Sequence, residues 1–275
     1  GFARPQTIRN CPRVMPNYGT RSFWDAYYTE NLQKTRQEEW LCTKRELDGW
    51  LEKVMGPKLS VLVIGCGLSD LAERIYDEDE CRDITCVDWS RPLIAHKAEE
   101  NSRARAGLQY HAADMTSPVS FKHFGFDLIL DKGLFDCVMC RSDAADAARM
   151  LVHNAHQLLR PEGRYVVISS APPDERLPLL SDLGGADLAE WAGTEVLRAH
   201  GASLHDIRAD ASAGVEPRGA TWEPVPEGGG GSAAPGDCVF LYCMHKPRLK
   251  SWQEEMALFE GIDTTDGEEE AGDEG

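Results

Sequence analysis

The sequence predicts an α/β fold with a mostly parallel sheet flanked by helices and an antiparallel terminal hairpin. Three observations predict it. Short β-branched runs alternate with amphipathic stretches between Leu59 and Ser169, the pattern of right-handed crossover units. The first run leads into a Gly-Cys-Gly turn at Gly65–Gly67. The next three end in acids, at Asp88, Asp114 and Asp131. A glycine turn after the first strand and acids at later strand ends are Rossmann-like features.

The elements follow in order. Ser22–Tyr28 (SFWDAYY) begins an aromatic helix. Trp40–Met55 is a second, with Trp40, Leu41, Leu47, Trp50, Leu51 and Val54 at helical spacing, stopped by Gly56-Pro57. LSVLVIG at Leu59–Gly65 reads as a strand buried on both faces. A helix over Ser69–Tyr76 carries Leu71, Ile75 and Tyr76 on one side. Ile84–Val87 is the second strand, Pro92–Arg105 a helix, and Leu108–Ala112 and Phe126–Leu130 the third and fourth strands. Ala144–Leu159 is amphipathic through Ala148, Leu151, Val152, Ala155 and Leu158, and Pro161-Glu162-Gly163 closes it. Arg164–Ser169 is the fifth strand. Beyond Pro172, Glu190–His200 reads as a helix and Leu204–Arg208 and Asp237–Met244 as strands. Ala209–Gly236, with its run Gly228–Gly231, reads as a flexible insertion in the terminal hairpin.

A chain of 275 residues suits one catalytic domain with ends: an irregular segment over 1–17, a domain over 18–250 and a tail over 251–275. The net charge of −17 is concentrated in that tail, which has ten acids and no Lys or Arg. Without it, 36 acids face 29 bases, a net −7. The tail therefore reads as disordered and solvating, or as a contact for a basic partner. A mildly acidic body argues against a nucleic-acid partner. Hydrophobic residues make up 42% without an apolar run of about 18, so no membrane span is expected. The N-terminal residues lack a secretory signal, which points to a cytoplasmic or nuclear protein, and the missing initiator Met to a trimmed or partial chain. Nine cysteines, mostly inside apparent elements, suit reduced thiols. A monomer is expected.

Gly65 and Gly67 allow backbone to approach the amino-acid end of a ligand, whose carboxylate the following helix N-terminus favours. Asp88 follows Gly67 by 21 residues, near the spacing at which an acid accepts from ribose hydroxyls. Asp114 is placed for an adenine amine, with Met115 and Trp89 as apolar walls. These groups suit an adenosine-type cofactor such as S-adenosyl-L-methionine. A nicotinamide cofactor wants a third glycine where Asp70 stands. Each acid alone reads equally as a helix cap.

Several linked motifs resemble the methyltransferase-like enzymes that include lysine methyltransferases of translation elongation factor 1-alpha. VLVIGCGLS at Val61–Ser69 is similar to that family's glycine motif, with Val63 where most methyltransferases have an acid. LDKGLFD at Leu130–Asp136 resembles its signature after strand four, with Leu134-Phe135 in place of Thr-Leu. Phe23-Trp24-Asp25 with Tyr28, and Glu39-Trp40, resemble its aromatic start and its acid-Trp pair. The resemblance covers Tyr18–Ala171. It implies a class I methyltransferase fold, S-adenosyl-L-methionine as cofactor, and cofactor contacts from Trp24, Tyr28, Trp40, Gly65, Cys66, Gly67, Asp88, Trp89, Asp114, Met115 and Lys132. It also implies a protein lysine as acceptor, on an elongation factor 1-alpha-like partner.

Methyl transfer needs alignment of a neutral nucleophile more than acid-base machinery. Asp131 and Asp136 are the candidates for orienting an acceptor amine; Asp136 reads equally as a cap. Lys132 is expected to reach the cofactor carboxylate. Trp24, Tyr28 and Trp40 read as a lid, and equally as an aromatic core. Cys137-x-x-Cys140 lacks a second pair or flanking His, so no metal is expected. The rival readings are a small-molecule methyltransferase and a catalytically idle binding subunit.

Overall fold

The computed structural model describes residues 17–32, 39–101, 103–119, 125–182, 190–200, 220–226 and 238–248. Helices α1 (Arg21–Asn31) and α2 (Lys44–Val54) precede β1 (Ser60–Ile64), α3 (Leu71–Glu78), β2 (Asp83–Asp88) and α4 (Arg91–Asn101). Then come β3 (Leu108–Ala112), β4 (Phe126–Lys132), α5 (Leu134–Val138), α6 (Ala144–Leu158), β5 (Leu159–Ser169) and α7 (Pro173–Leu180). Strands β6 (Gly193–His200), β7 (Thr221–Pro224) and β8 (Phe240–His245) finish the described chain.

All eight strands form one sheet in the order β3-β2-β1-β4-β5-β8-β6-β7. From β3 to β5 the pairing is parallel. Beyond β5 it is antiparallel, with β8 inserted between β5 and β6 and β7 on the edge. Chain order reverses between β1 and β4, and in open α/β sheets ligands bind beyond the carboxyl ends of strands at such a switch point.

Strand β1 is buried along its whole length. Val61 and Val63 pack with Leu47, Trp50 and Leu51 of α2 on one face, while Leu62 and Ile64 pack with Leu151 and Ala155 of α6 on the other. This two-sided burial is why the run is apolar without alternation, and each such side chain stabilises the fold by roughly 1.5–3 kcal/mol. Helix α2 begins at a capping box. The Glu46 amide donates to Thr43 Oγ1 at 3.3 Å and the Thr43 amide to Glu46 Oε2 at 2.8 Å. That cap starts the helix at Lys44, so Trp40 and Leu41 lie ahead of it, not within it.

Four other expectations are corrected. Strand β4 continues to Lys132, which puts Asp131 inside the strand and not at its end. Pro161-Glu162-Gly163 does not separate α6 from β5; it lies within β5 where the register against β4 shifts, with Glu162 at φ 63°. The stretch expected as a helix at Glu190–His200 contains β6, because backbone pairing with β8 on one side and β7 on the other outweighs its local helical spacing. Thr221–Pro224, inside the expected flexible insertion, is β7, and Trp222 Nε1 anchors it by donating to Glu46 O at 2.7 Å. The expected strand Leu204–Arg208, most of the insertion, the tail and nearly all of the N-terminal segment lie outside the described residues. Among the described residues no helix is long and apolar enough to cross a membrane.

Candidate active site

A cavity open at its mouth lies beyond the carboxyl ends of β1, β2 and β4. Trp24, Tyr28, Trp40, Gly65, Cys66, Gly67, Asp88, Trp89, Asp114, Met115 and Lys132 all line it.

Its floor is the turn after β1. Gly65 and Gly67 have φ of 62° and 53°, the left-handed region that favours glycine. A Cβ on Gly65 would stand 2.7 Å from Leu134 Cβ, and one on Gly67 would stand 3.2 Å from the Tyr28 hydroxyl. The turn is therefore fixed both by conformation and by neighbours. Asp88 closes β2 beside it, accepting from Gly67 N on Oδ2 at 3.2 Å and from Ser90 N on Oδ1 at 3.0 Å. Burial pushes its carboxyl up to about 6, against the opposing pull of those amides. Asp114 accepts from the Thr116 amide at 2.9 Å and hydroxyl at 2.7 Å, both on Oδ1. Asn154 Nδ2 donates to Met115 O at 2.9 Å, which holds the Asp114 turn against α6.

One wall is aromatic. Trp24 stacks on Tyr28 with centroids 5.4 Å apart and meets Trp40 at 5.4 Å, while its Nε1 donates to Tyr18 O at 2.8 Å. Trp24 and Tyr28 are buried, with Trp40 and Trp89 packed against them. These rings pack together as an aromatic cluster and also line the cavity.

Lys132 lines the cavity but is engaged by the protein itself. Its ammonium donates to Glu39 Oε2 at 2.6 Å and to Trp40 O at 3.0 Å. Glu39 also accepts from Ser69 Oγ and Asp70 N, each at 2.9 Å, at the head of α3. Burial disfavours its charge, yet the Lys132 ammonium and these donors hold the carboxyl below its usual range. Asp70 is pushed up to about 7 by burial and by the Glu39 charge. Sequence reasoning singled out Glu39 only as half of an acid-Trp pair. The lysine in LDKG was the signal that a buried acid had to face it.

Neither Asp131 nor Asp136 lines the cavity. Asp131 is fully buried and accepts from Phe135 N and Tyr165 Oη, each at 3.1 Å, with burial pushing it up to about 7. Asp136 accepts from Ser169 Oγ, from the Ser170 amide at 2.9 Å and hydroxyl at 3.0 Å, and from Arg176 Nη2 at 2.7 Å. Arg176 is itself buried, and its guanidinium lies over the Phe135 ring at 4.5 Å. Both acids thus join β4, α5, β5 and α7. A second network went unanticipated. Glu73 Oε1 accepts from Lys97 Nζ and from Tyr110 Oη at 2.8 Å, and Lys97 also donates to Ser69 O at 2.8 Å, bracing the turn from below. Cys140 Sγ donates to Asp136 O at 3.5 Å, and all described cysteines are free.

Residues 62–165 match the family model described as a methyltransferase domain. The parallel sheet with its switch-point site has the class I methyltransferase fold, and residues 62–165 are similar to a methyltransferase domain. A solved relative in fold, the N-methyltransferase NodS of Bradyrhizobium japonicum WM9 in complex with S-adenosyl-L-homocysteine, aligns with a TM-score of 0.52. It is 15% identical, over 82% of this chain and 99% of that one. In sequence the chain is similar to the eEF1A lysine and N-terminal methyltransferases, 32% identical over 160 residues to that of Danio rerio and over 162 to that of Homo sapiens. These alignments cover 58% of this chain and 22% and 23% of those proteins, so the chain spans about a fifth of their length. It is also 28% identical to the mitochondrial citrate synthase-lysine N-methyltransferase of Danio rerio, over 66% of this chain and 79% of that one.

Proposed function

We propose that this chain is an S-adenosyl-L-methionine-dependent protein-lysine N-methyltransferase whose acceptor is a translation elongation factor 1-alpha-like protein. The observation that carries the reading is the convergence of the left-handed glycine turn, Asp88, Asp114 and the aromatic wall on one cavity at the switch point. The residues fit the cofactor. Asp88 accepts Gly67 N on one oxygen and Ser90 N on the other, with the Trp89 amide beside them, and the roughly four acceptor positions of a carboxylate leave room for a ribose hydroxyl. The Cβ-less turn lets backbone amides meet the amino-acid end, and the head of α3 favours its carboxylate. Asp114 Oδ2 serves the adenine amine, between Met115 and Trp89. Lys132 acts on the cofactor through Glu39, whose carboxylate sets the position of Ser69 and Asp70.

Bound S-adenosylmethionine supplies an electrophilic methyl group on a sulfonium. Trp24, Tyr28 and Trp40 exclude water from that end and give a cation an aromatic face. An acceptor ammonium entering this apolar mouth loses its proton more readily, because desolvation disfavours the charged form. No carboxylate of β4 is needed for that step. The lysine assignment draws on the similarity to the eEF1A and citrate synthase enzymes, and an eEF1A-like acceptor favours a cytoplasmic setting.

The test is incubation with methyl-labelled cofactor and recombinant elongation factor 1-alpha or citrate synthase, followed by mapping of the label. Label on an elongation-factor lysine is expected. Label on the N-terminal amine, on citrate synthase, or only on low-mass cell components overturns the acceptor assignment. No cofactor binding by calorimetry overturns the whole reading.

A further inference from the structure

At the end of the sheet away from the cavity, Glu195, Cys243 and His245 bring one carboxylate, one thiol and one imidazole to a common point. Their ligand atoms all lie within 4.8 Å of one another. The pairing explains why. Glu195 on β6 is the direct cross-strand partner of Cys243 on β8, and His245 follows two residues on, so all three side chains leave the same face of the sheet. On β5, Arg164 pairs with His245, Val166 with Cys243 and Ser169 with Phe240, so the cluster stands three to five residues, roughly 10–16 Å, from the cavity end of the strands.

We propose that these three residues form a zinc site that staples β6 to β8. The separations carry the inference. Cys243 Sγ and His245 Nε2 are 3.6 Å apart. A tetrahedral zinc ion, with Zn–S about 2.3 Å and Zn–N about 2.0–2.1 Å, sets its sulfur and nitrogen ligands about 3.6 Å from each other. Thiolate, imidazole and carboxylate are together a zinc-type donor set, and three protein ligands leave a fourth position for water. On binding, the Cys243 thiol would release its proton to solvent as the Zn–S bond forms. Arg164 opposes a second cation nearby, and the Glu195 carboxylate offsets it. Without metal, the same 3.6 Å contact is a plain thiol-to-imidazole hydrogen bond.

The experiment uses the full chain, stripped with a chelator and titrated with cobalt(II) as a spectroscopic probe. One equivalent should give a thiolate-to-cobalt charge-transfer band that zinc abolishes, and zinc should raise the melting temperature. Cys243→Ser and His245→Ala should each remove the band and weaken binding at least about 100-fold, beyond the roughly 10–100-fold of outer-shell changes. Glu195→Gln should weaken binding but keep the band. Cofactor affinity should not change in any of them. Absence of the band in the parent protein overturns the site, as does its survival in Cys243→Ser. Should Cys243→Ser not fold, an undiminished band in His245→Ala has the same force.

Discussion

Lys132 Nζ stands 2.6 Å from Glu39 Oε2, joining the end of β4 to a residue 93 positions earlier. Only 5% of the lysine side chain and 9% of the glutamate side chain are exposed. Because Glu39 also receives Ser69 and the Asp70 amide, one carboxylate ties the aromatic segment, the glycine turn and β4 together. The geometry of the cavity thus depends on a side-chain pair that joins the last residue of β4 to a residue outside the sheet.

Removing one partner leaves the other buried and unmatched. Glu39→Ala should destabilise the protein by about 3–5 kcal/mol, measured by chemical denaturation. Replacing both, as Glu39→Gln with Lys132→Met, removes the stranded charge and should recover most of that loss. A single substitution costing less than about 1 kcal/mol would show that water reaches the pair, as for exposed ion pairs.

Asp88 should give cofactor binding a pH dependence. Its carboxyl is raised from 3.8 to about 6, chiefly by burial. In the cofactor-free protein the raised group favours folding below 3.8, and that contribution is lost as pH rises through about 6. Ribose hydroxyls donate best to the ionised form, so binding runs the other way. Affinity for S-adenosylhomocysteine should fall as pH drops below about 6 and level off above it. Asp88→Asn should flatten this profile and weaken binding by about 1.5–3 kcal/mol, the worth of a hydrogen bond to a charged group. Calorimetry across the pH range decides it; an unchanged slope in the variant removes Asp88 as its source.

The parallel half of the sheet was legible because burial on both faces writes itself as unbroken apolar runs, as in Val61–Ile64. The cavity lining was legible for a related reason: a left-handed turn demands glycine, and strand ends at a switch point collect acids. What local pattern misses is long-range pairing. Glu190–His200 has helical spacing, yet Leu197 faces Leu241 and Glu195 faces Cys243 across a strand that follows some 40 residues later. The partners of Asp131 and Asp136 were hidden for the same reason. Their partners Tyr165, Ser169 and Arg176 come from later elements, and no spacing near LDKGLFD announces them.

Those two acids should separate from catalysis. Asp136→Ala strands the buried Arg176 guanidinium, 2% exposed, and should cost about 3–5 kcal/mol of stability. Asp131→Asn keeps an acceptor for the Phe135 amide and an amide for the Tyr165 hydroxyl. With its carboxyl raised to about 7, wild-type Asp131 contributes to stability at low pH and loses that contribution as pH rises through 7. Asp131→Asn should therefore remove this fall while leaving kcat within a few-fold. A kcat loss of about 100-fold at unchanged stability would return Asp131 to the chemistry, since general acid-base groups contribute roughly 10²–10⁴-fold.

The glycine turn offers a test that separates conformation from contact. Gly67→Ala meets two obstacles: a φ of 53°, and a Tyr28 hydroxyl 3.2 Å from the new Cβ. The left-handed conformation costs an L-residue about 1–2 kcal/mol whatever surrounds it. The contact belongs to one oxygen atom and can be deleted. Tyr28→Phe removes that oxygen while keeping the ring stacked on Trp24 at 5.4 Å. The double variant should therefore bind S-adenosylhomocysteine more tightly than Gly67→Ala alone, with a coupling of about 0.5–3 kcal/mol in the cycle. Gly65→Ala should show no such rescue, because its Cβ would meet Leu134 Cβ at 2.7 Å, an atom that every residue but glycine retains. Equal, additive losses in the Gly67–Tyr28 cycle would mean that conformation alone fixes this turn and that the ring packs over it without constraint.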